Sequence, residues 1–321
     1  MRGFTKPEDV ELVPARSLLL VSEMGAGAPR SGGALSAVSW SAERGAHGTP
    51  RRLWPSGDAL APARAVGDPA CAKPPDPGGF SGHGLAAAAT DESVLVAIVG
   101  HGAREAIEYF AIEGEGDAAR ARWVGCVPLP PETAGNDVLV APDGALLVTN
   151  YIPTVHGLAA WIWLQLAELG WDTGSVLRWT PAAGWRELPH SAGPMPNGIA
   201  RAGGRTVVAY NGAQTLALLP ESASETASDG IRQIALPGRP DNVSTAPDGT
   251  ILAAVLHESP PGAWTIVSVE PESARVATVF AHDGARLPAV TAVVSDGRRY
   301  FLGAMVGDAI GVLEPVPAPP R

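Results

Sequence analysis

The stretch from residue 136 to residue 150 reads NDVLVAPDGALLVTN, and the fold prediction starts from it. A polar pair, Asn136-Asp137, opens an apolar strand, and Pro142-Asp143-Gly144 separates that strand from a second one at Leu146-Leu147-Val148. Proline presets φ and glycine supplies a positive φ, so Pro-Asp-Gly between two apolar runs is typical of a β-hairpin. The stretch therefore predicts a hairpin with two polar residues at its entrance.

The same phrase recurs along the chain. A near copy, DNVSTAPDGTILAA, covers residues 241–254, and less complete copies begin near Glu8, His83, Asn197 and Val290. The six starts lie between 44 and 75 residues apart. Repeats of roughly 40–50 residues built from hairpins are typical of β-propellers, which have four strands per blade. Six phrases predict an all-β, six-bladed β-propeller that forms a single domain over residues 1–321. The alternative is a β-sandwich with coincidental Asp-Gly turns.

One segment breaks this pattern. Residues 155–171 read VHGLAAWIWLQLAELGW, have no turn signal and predict a short helical insert over the channel mouth. At helical spacing one face collects Leu158, Trp161, Ile162, Leu166 and Leu169. We expect a capping helix packed on the propeller; the alternative is an apolar wall or lid over a substrate site. The segment has no Lys or Arg, so attraction to anionic membranes is not indicated.

Composition excludes several classes of function. The chain has 38 Gly and 31 Pro in 321 residues, which favours short elements, and its net charge of −10 argues against nucleic-acid binding. No apolar run is long enough for a transmembrane segment, and no signal-peptide pattern is visible, so a cytoplasmic location is the expectation. Cys71 and Cys126 allow one disulfide but exclude a thiolate metal site.

The polar residues at the phrase starts are candidate metal ligands. The first strand of each propeller blade lines the central channel, so the starts of these strands should converge at one mouth. The residues placed there are Glu8, Asp9, His83, Asn136, Asp137, Asn197, Asp241 and Asn242. Carboxylate and amide oxygens suit Ca²⁺ best, with Mg²⁺ or Mn²⁺ as poorer fits. The alternative is that Asn and Asp only cap strand entries.

The ordered set of phrases resembles the paraoxonase/arylesterase family of six-bladed propellers, which is related to gluconolactonases (senescence-marker-protein-like) and strictosidine-synthase-like proteins. The matching motifs are Glu8-Asp9-Val10-Glu11-Leu12, His83-Gly84-Leu85, Gly100-His101, Asn136-Asp137-Val138, Asn197-Gly198-Ile199 and Asp241-Asn242-Val243. The resemblance covers the chain from Glu8 onward.

This resemblance implies two calcium ions and a histidine dyad. The active-site calcium would be held by Glu8, Asn136, Asn197, Asp241 and Asn242. A buried structural calcium would be held by Asp9, Asp137 and the backbone carbonyl of Leu85. The dyad falls on His83 and His101, and the substrate pocket would include His257 and Tyr151, the latter where many family members have Asp.

The chain departs from the family pattern in two further places. In animal members of the family a disulfide joins the two terminal regions, whereas Cys71 and Cys126 lie inside this chain. Seven residues precede Glu8, so the ring would close either through a C-terminal strand near Gly311-Val312-Leu313 alone or with a start further upstream.

The expected activity is calcium-dependent hydrolysis of carboxylic esters or lactones, a small-molecule reaction. Calcium can polarise a carbonyl, and a neutral histidine can take a proton from water. We expect His83 to be the base and His101 to orient it; the rival base is a calcium-bound carboxylate, Glu8 or Asp241. Two alternatives are a gluconolactonase-like sugar lactonase and a non-catalytic, calcium-stabilised binding propeller. Strictosidine-synthase-like condensation is the least favoured, because no matching catalytic glutamate is evident.

Overall fold

A computed structural model describes residues 1–27, 32–63, 65–89, 93–155, 157–220 and 230–314. Within them the strands form six antiparallel sheets, each with its strands hydrogen-bonded in chain order. This is the predicted six-bladed β-propeller, and the β-sandwich alternative is wrong.

The first three blades have four strands each. Blade 1 consists of β1 (Pro7–Val13), β2 (Leu18–Glu23), β3 (Ala34–Ser41) and β4 (Gly45–Trp54). Blade 2 consists of β5 (Phe80–Ala89), β6 (Val94–Gly102), β7 (Ala106–Glu113) and β8 (Arg120–Pro128). Blade 3 consists of β9 (Thr133–Val140), β10 (Leu146–Pro153), β11 (Ser175–Thr180) and β12 (Gly184–Glu187), with helix α1 (Leu158–Glu168) between its second and third strands.

The remaining blades follow the same plan. Blade 4 consists of β13 (Pro196–Ala202), β14 (Arg205–Tyr210), β15 (Thr215–Pro220) and β16 (Arg232–Ala235). Blade 5 consists of β17 (Arg239–Thr245), β18 (Ile251–Leu256), β19 (Trp264–Val269) and β20 (Val276–His282). Blade 6 has three strands among the described residues, β21 (Val290–Ser295), β22 (Tyr300–Ala304) and β23 (Gly311–Leu313).

The hydrophobic core is divided among the six contacts between neighbouring blades. In β2, Leu18 and Leu20 pack against blade 2, whereas Leu19 and Val21 pack against blade 6. Successive side chains of a strand point to opposite faces, and in a ring of sheets both faces are covered. This is why the second strands of the blades are apolar at nearly every position.

The N-terminal segment takes part in closing the ring. The Met1 ammonium donates to Ile310 O at 2.8 Å, and the Lys6 amide donates to Gly307 O at 2.9 Å. The segment therefore follows the turn between β22 and β23, while β1 packs against β21 and β22. Of the two alternatives for ring closure, closure by a C-terminal strand near Gly311–Leu313 alone is wrong, because the first six residues contribute too.

The two cysteines form a disulfide. Cys71 and Cys126 are bonded, with their Cα atoms 5.6 Å apart. Cys71 belongs to the connection between β4 and β5, and Cys126 lies in β8, so the bond ties this connection to the outermost strand of blade 2. The sequence-based possibility of one internal disulfide is confirmed.

Helix α1 is shorter than the predicted 155–171 segment and packs through a different face. Ala167 is its fully buried residue, whereas Leu158, Trp161, Ile162 and Leu169 are between 44% and 75% exposed. Four of the five residues of the predicted apolar face therefore lie toward solvent and only Leu166 is half-buried, so the expectation that this face packs on the propeller is wrong, although the helix itself contacts β10. No helix in the described part of the chain has the length and apolarity needed to cross a membrane.

Candidate functional site

The recurring polar pairs lie at a β-bulge that is repeated in all six innermost strands. In blade 3, Gly135 pairs with Asn150 and Val138 with Val148, so the inner strand has one residue more than its partner over this interval. The pairings of β1, β5, β13, β17 and β21 shift by one residue at the corresponding point. A bulge bends a strand and re-aims its side chains. The six bulges thus bring the polar pairs to one level of the channel.

The side chains assigned to the active-site calcium are buried at this level: Glu8, Asn136, Asn197, Asp241 and Asn242. Asn242 Nδ2 donates to Glu8 Oε1 at 2.9 Å, and the Asn197 side chain hydrogen-bonds to Asp241. These contacts join strands of blades 1, 4 and 5 around the axis.

Several oxygens of this set have no hydrogen-bond partner. They are Glu8 Oε2, Asn136 Oδ1, Asn197 Oδ1 and Asn242 Oδ1, and they are four of the six such buried side-chain atoms among the described residues. A buried polar atom without a partner is costly, and a bound ion is one way to satisfy it. Oxygen donors from carboxylates and amides are the kind that Ca²⁺ prefers. The residues present fit a calcium ion.

Burial and mutual repulsion dominate the electrostatics of this set. Burial, with Asp9 and Asp241 nearby, raises the pKa of Glu8 well above its usual range. Burial likewise raises the pKa of Asp241 to about 7. In the described residues no three His, Cys, Asp or Glu side chains form a metal-binding group. Any cation here would therefore depend on asparagine amides in addition to two carboxylates.

The residues assigned to the structural calcium are arranged differently. Asp9 accepts hydrogen bonds from the backbone amides of Val10 and Leu85, each at 2.8 Å. Burial raises its pKa to about 7. Leu85 thus contributes its amide to the Asp9 carboxylate, so this carboxylate joins blade 1 to blade 2.

Asp137 makes the equivalent contacts between blades 3 and 4. It accepts from Val138 N at 2.7 Å and from Ile199 N, in blade 4, at 2.8 Å. Burial and the nearby Asp9 charge raise the pKa of Asp137 well above its usual range. Every carboxylate oxygen of Asp9 and Asp137 therefore has a partner, and the unfavourable feature of this inner pair is uncompensated charge.

Two glycines alternate with these aspartates around the ring. A Cβ on Gly84 would lie 2.3 Å from Asp137 Oδ1, and a Cβ on Gly198 would lie 2.6 Å from the Asn242 Cα. The second position of each pair is therefore Asp or Asn in blades 1, 3 and 5, and Gly in blades 2 and 4. Close approach of the inner strands requires the missing side chain.

His83 and His101 lie together beside the carboxylate–amide set. Their ring centroids are 5.4 Å apart in an edge-to-face arrangement, and His83 Nδ1 lies 3.7 Å from Glu8 Oε2. His83 Nδ1 is also 2.9 Å from Asn136 O. A carbonyl oxygen only accepts, so Nδ1 donates and a neutral His83 keeps its lone pair on Nε2.

The two predicted pocket residues have different surroundings. Burial, followed by the Asp241 charge, raises the pKa of the Tyr151 phenol. His257 Nε2 lies 2.7 Å from Thr265 Oγ1 on the neighbouring strand. The next residue, Glu258, pairs with Arg239 at 2.8 Å, and Arg239 also pairs with Glu168 at the end of α1. His257 therefore lies beside the ion pairs that hold α1.

A cavity of about 440 Å³ continues along the channel. Its lining includes Asp9, Asp137 and Asn242, the second members of three polar pairs, and then the residues that follow the bulges. Among these is Glu11, whose pKa burial and the Asp9 charge raise to about 8. The first members of the pairs do not line this cavity, so its polar end is formed by the second members.

Sequence reasoning missed three residues of the site. Thr149 Oγ1 accepts from Asp137 N and donates to Asn197 O, and Thr291 Oγ1 donates to Glu8 O at 2.6 Å. Glu105 hydrogen-bonds to His101 Nδ1. The recurring phrase marks none of them, because they act from neighbouring strands or turns; only the four-residue spacing of His101 and Glu105 was a sequence signal.

Comparisons with known proteins identify the fold. No family model and no curated protein matches the chain. A gluconolactonase from Xanthomonas campestris superposes with a TM-score of 0.54 at 16% identity, covering 98% of this chain and 88% of that one. Regucalcin from Agrobacterium tumefaciens, a calcium-binding protein, gives 0.52 at 15% identity, covering 94% and 82%. Aldose sugar dehydrogenase from Streptomyces coelicolor, with PQQ bound, gives 0.54 at 17% identity, covering 98% and 95%. Because these similar folds carry different activities, the likeness shows the fold alone.

Proposed function

We propose that the chain is a calcium-dependent hydrolase of lactones and carboxylic esters. The observation that carries the proposal is the set of four buried, unpartnered oxygens on Glu8, Asn136, Asn197 and Asn242. They come from four different inner strands and lie beside a histidine pair. The resemblance to the paraoxonase/arylesterase family and the gluconolactonase and regucalcin neighbours agree with this assignment.

Glu8, Asn136, Asn197, Asp241 and Asn242 would hold the ion. When bound, calcium would supply positive charge that stabilises the oxyanion developing on the substrate carbonyl. Because this ligand set contains no histidine, His83 and His101 would serve in proton transfer and not in metal binding.

The chain's own residues then account for the activation of water. The Asn136 carbonyl holds His83 with its proton on Nδ1, so Nε2 is the basic atom that takes a proton from water. The resulting hydroxide attacks the carbonyl carbon, and the proton returns to the leaving oxygen. His101 positions the His83 ring by edge-to-face contact.

The inner pair supports a second, structural ion. Asp9 and Asp137 are both buried, and desolvation dominates the rise in the pKa of each. A cation between them would offset that cost. Their backbone hydrogen bonds remain compatible with coordination because a carboxylate oxygen has more than one acceptor site.

A hydrolysis screen tests the activity. Aromatic esters, aliphatic lactones and sugar lactones are assayed with calcium, with a chelator, and after calcium is restored. We expect hydrolysis that the chelator abolishes and calcium restores. Asp248→Asn, on an exposed turn, is the matched control and should behave as wild type. Activity on sugar lactones alone would favour the gluconolactonase-like alternative. Calcium binding without hydrolysis of any substrate would favour the non-catalytic propeller.

A further inference from the structure

The Glu105 carboxylate hydrogen-bonds to His101, the second histidine of the dyad. His101, near the end of β6, is 2% exposed, and its Nδ1 hydrogen-bonds to Glu105 Oε2 in the turn before β7. The His101 ring also contacts His83, with 5.4 Å between the ring centroids. The three side chains therefore follow one another as His83, His101 and Glu105.

The turn that carries Glu105 is held by contacts of its own. The Leu129 amide donates to Glu105 O at 3.0 Å. The neighbouring Arg104 donates to both carboxylate oxygens of Glu108, at 2.6 and 2.7 Å, and Trp123 Nε1 also donates to Glu108. The nearest cation on the turn is thus committed to Glu108, and the Glu105 carboxylate is directed to the histidine.

A carboxylate in this position has a defined chemical effect. It accepts only, so His101 Nδ1 must donate and a neutral ring keeps its lone pair on Nε2. A buried imidazole gains a proton at a cost in desolvation, and an adjacent negative charge offsets that cost. The carboxylate of a Ser-His-Asp triad acts on its histidine in this way.

We infer that Glu105 is a positioning residue: it fixes the tautomer of His101, and its charge stabilises the neighbouring His83 ring while that ring holds the proton taken from water. This inference rests on the proposed hydrolase function. It adds a third side chain, Glu105, to the dyad of His83 and His101. Only the proton moves: it leaves water, resides on His83 and returns to the leaving oxygen.

Kinetics of paired variants test this role of Glu105. Glu105→Gln removes the charge at nearly constant size and should lower kcat by about 10- to 100-fold, at or below the low end of the contribution of a general base, with KM changed much less. The same change in a His101→Gln background should have no additional effect, because Glu105 acts through His101. Glu113→Gln is the matched control: Glu113 lies at the far end of β7 and pairs with Arg122. It should leave kcat unchanged.

Nitrogen NMR of histidine-labelled protein gives a readout that does not depend on activity. In the wild type His101 should be protonated at Nδ1, and in Glu105→Ala it should become a mixture of tautomers. A wild-type His101 without a proton on Nδ1 would overturn the inference. So would an unchanged kcat in Glu105→Gln, or an equal loss in the His101→Gln background. If the wild type hydrolyses no ester or lactone, the proposed function fails, while the tautomer measurement still decides whether Glu105 orients His101.

Discussion

Asn242 and Glu8 are 234 residues apart in the chain, yet the Asn242 amide donates to Glu8 Oε1 at 2.9 Å. The bond joins the inner strand of blade 5 to that of blade 1, across the blade at which the ring closes. It leaves Glu8 Oε2 and Asn242 Oδ1 unpartnered at the channel axis. The candidate ion site therefore depends on closure of the whole propeller.

Calcium removal should destabilise the fold. A ligand that binds only the native state contributes about 2.7 kcal/mol at a concentration of 100 times its Kd. For a chain of this size we expect a chelator to lower Tm by about 5 °C or more. Calorimetry with metal analysis checks this, and two ions per chain are expected. Magnesium added at equal concentration is the control and should restore less. An unchanged Tm in protein shown to be free of metal would contradict a structural ion.

The pH dependence of the calcium-free protein should have a specific sign. In the native state burial raises the pKa of Asp9 and of Asp241 to about 7, whereas unfolded Asp titrates near 3.9. Between these values the native state binds more protons than the unfolded state, so stability falls as pH rises from about 4 to about 7. Chemical denaturation in the presence of a chelator, at several pH values, measures this change in the free energy of unfolding. Stability that rises with pH over this window would show that these carboxylates are not the controlling groups.

Substitutions in the active-site set and in the structural set of proposed calcium ligands should have different effects on activity and stability. Asn197→Ala and Asn242→Ala should abolish turnover with modest loss of stability. Asp137→Ala leaves the Val138 and Ile199 amides without their acceptor, so it should lower the free energy of unfolding by about 3 kcal/mol or more. Asp143→Ala, on the exposed turn of the same hairpin, is the control. Equal losses of stability in all three site variants would mean that the partition is wrong.

Replacement of the proposed base should remove most of the activity. General-base catalysis contributes about 10²–10⁴-fold, so His83→Gln should lower kcat/KM by that order, and His101→Gln by less. The residual rate of His83→Gln should lose the rise with pH that a neutral imidazole produces. Profiles of kcat/KM against pH, on a lactone and on an aryl ester, provide the check. If His83→Gln kept the wild-type rate and pH dependence, Glu8 or Asp241 would become the better candidate for the general base.

The inner strands of blades 4 and 5 approach so closely that one added methyl group at position 198 should destabilise the protein. Gly198→Ala would place Cβ 2.6 Å from the backbone of Asp241 and Asn242, so the inner strands of blades 4 and 5 must separate. We expect loss of stability by about 1–3 kcal/mol and weaker calcium binding. Gly57→Ala, with open space around its Cβ, is the control. Calorimetry and calcium titration measure both effects, and equal behaviour of the two variants would contradict the packing argument.

The blades and the members of the candidate site could be predicted from local sequence patterns. Pro142-Asp143-Gly144 and Pro247-Asp248-Gly249 mark hairpin turns through local backbone preferences, and alternation of side chains marks the strands. The repeated polar pairs predicted their own convergence, because corresponding positions of repeats meet at the same level of a ring.

Which atoms face one another could not be predicted from these local patterns, because it depends on contacts between blades. The Asp137 carboxylate could have been read as a ligand alone, yet it also holds the Ile199 amide of the next blade. Helical spacing grouped Trp161 with Leu158, but spacing does not say which side of a helix meets the propeller. The spacing of His101 and Glu105 is compatible with a contact, but only the turn between β6 and β7 brings the two side chains together. Local patterns set periodicity and turns, whereas contacts between blades depend on the relative placement of strands far apart in the chain, which is set by the closed ring.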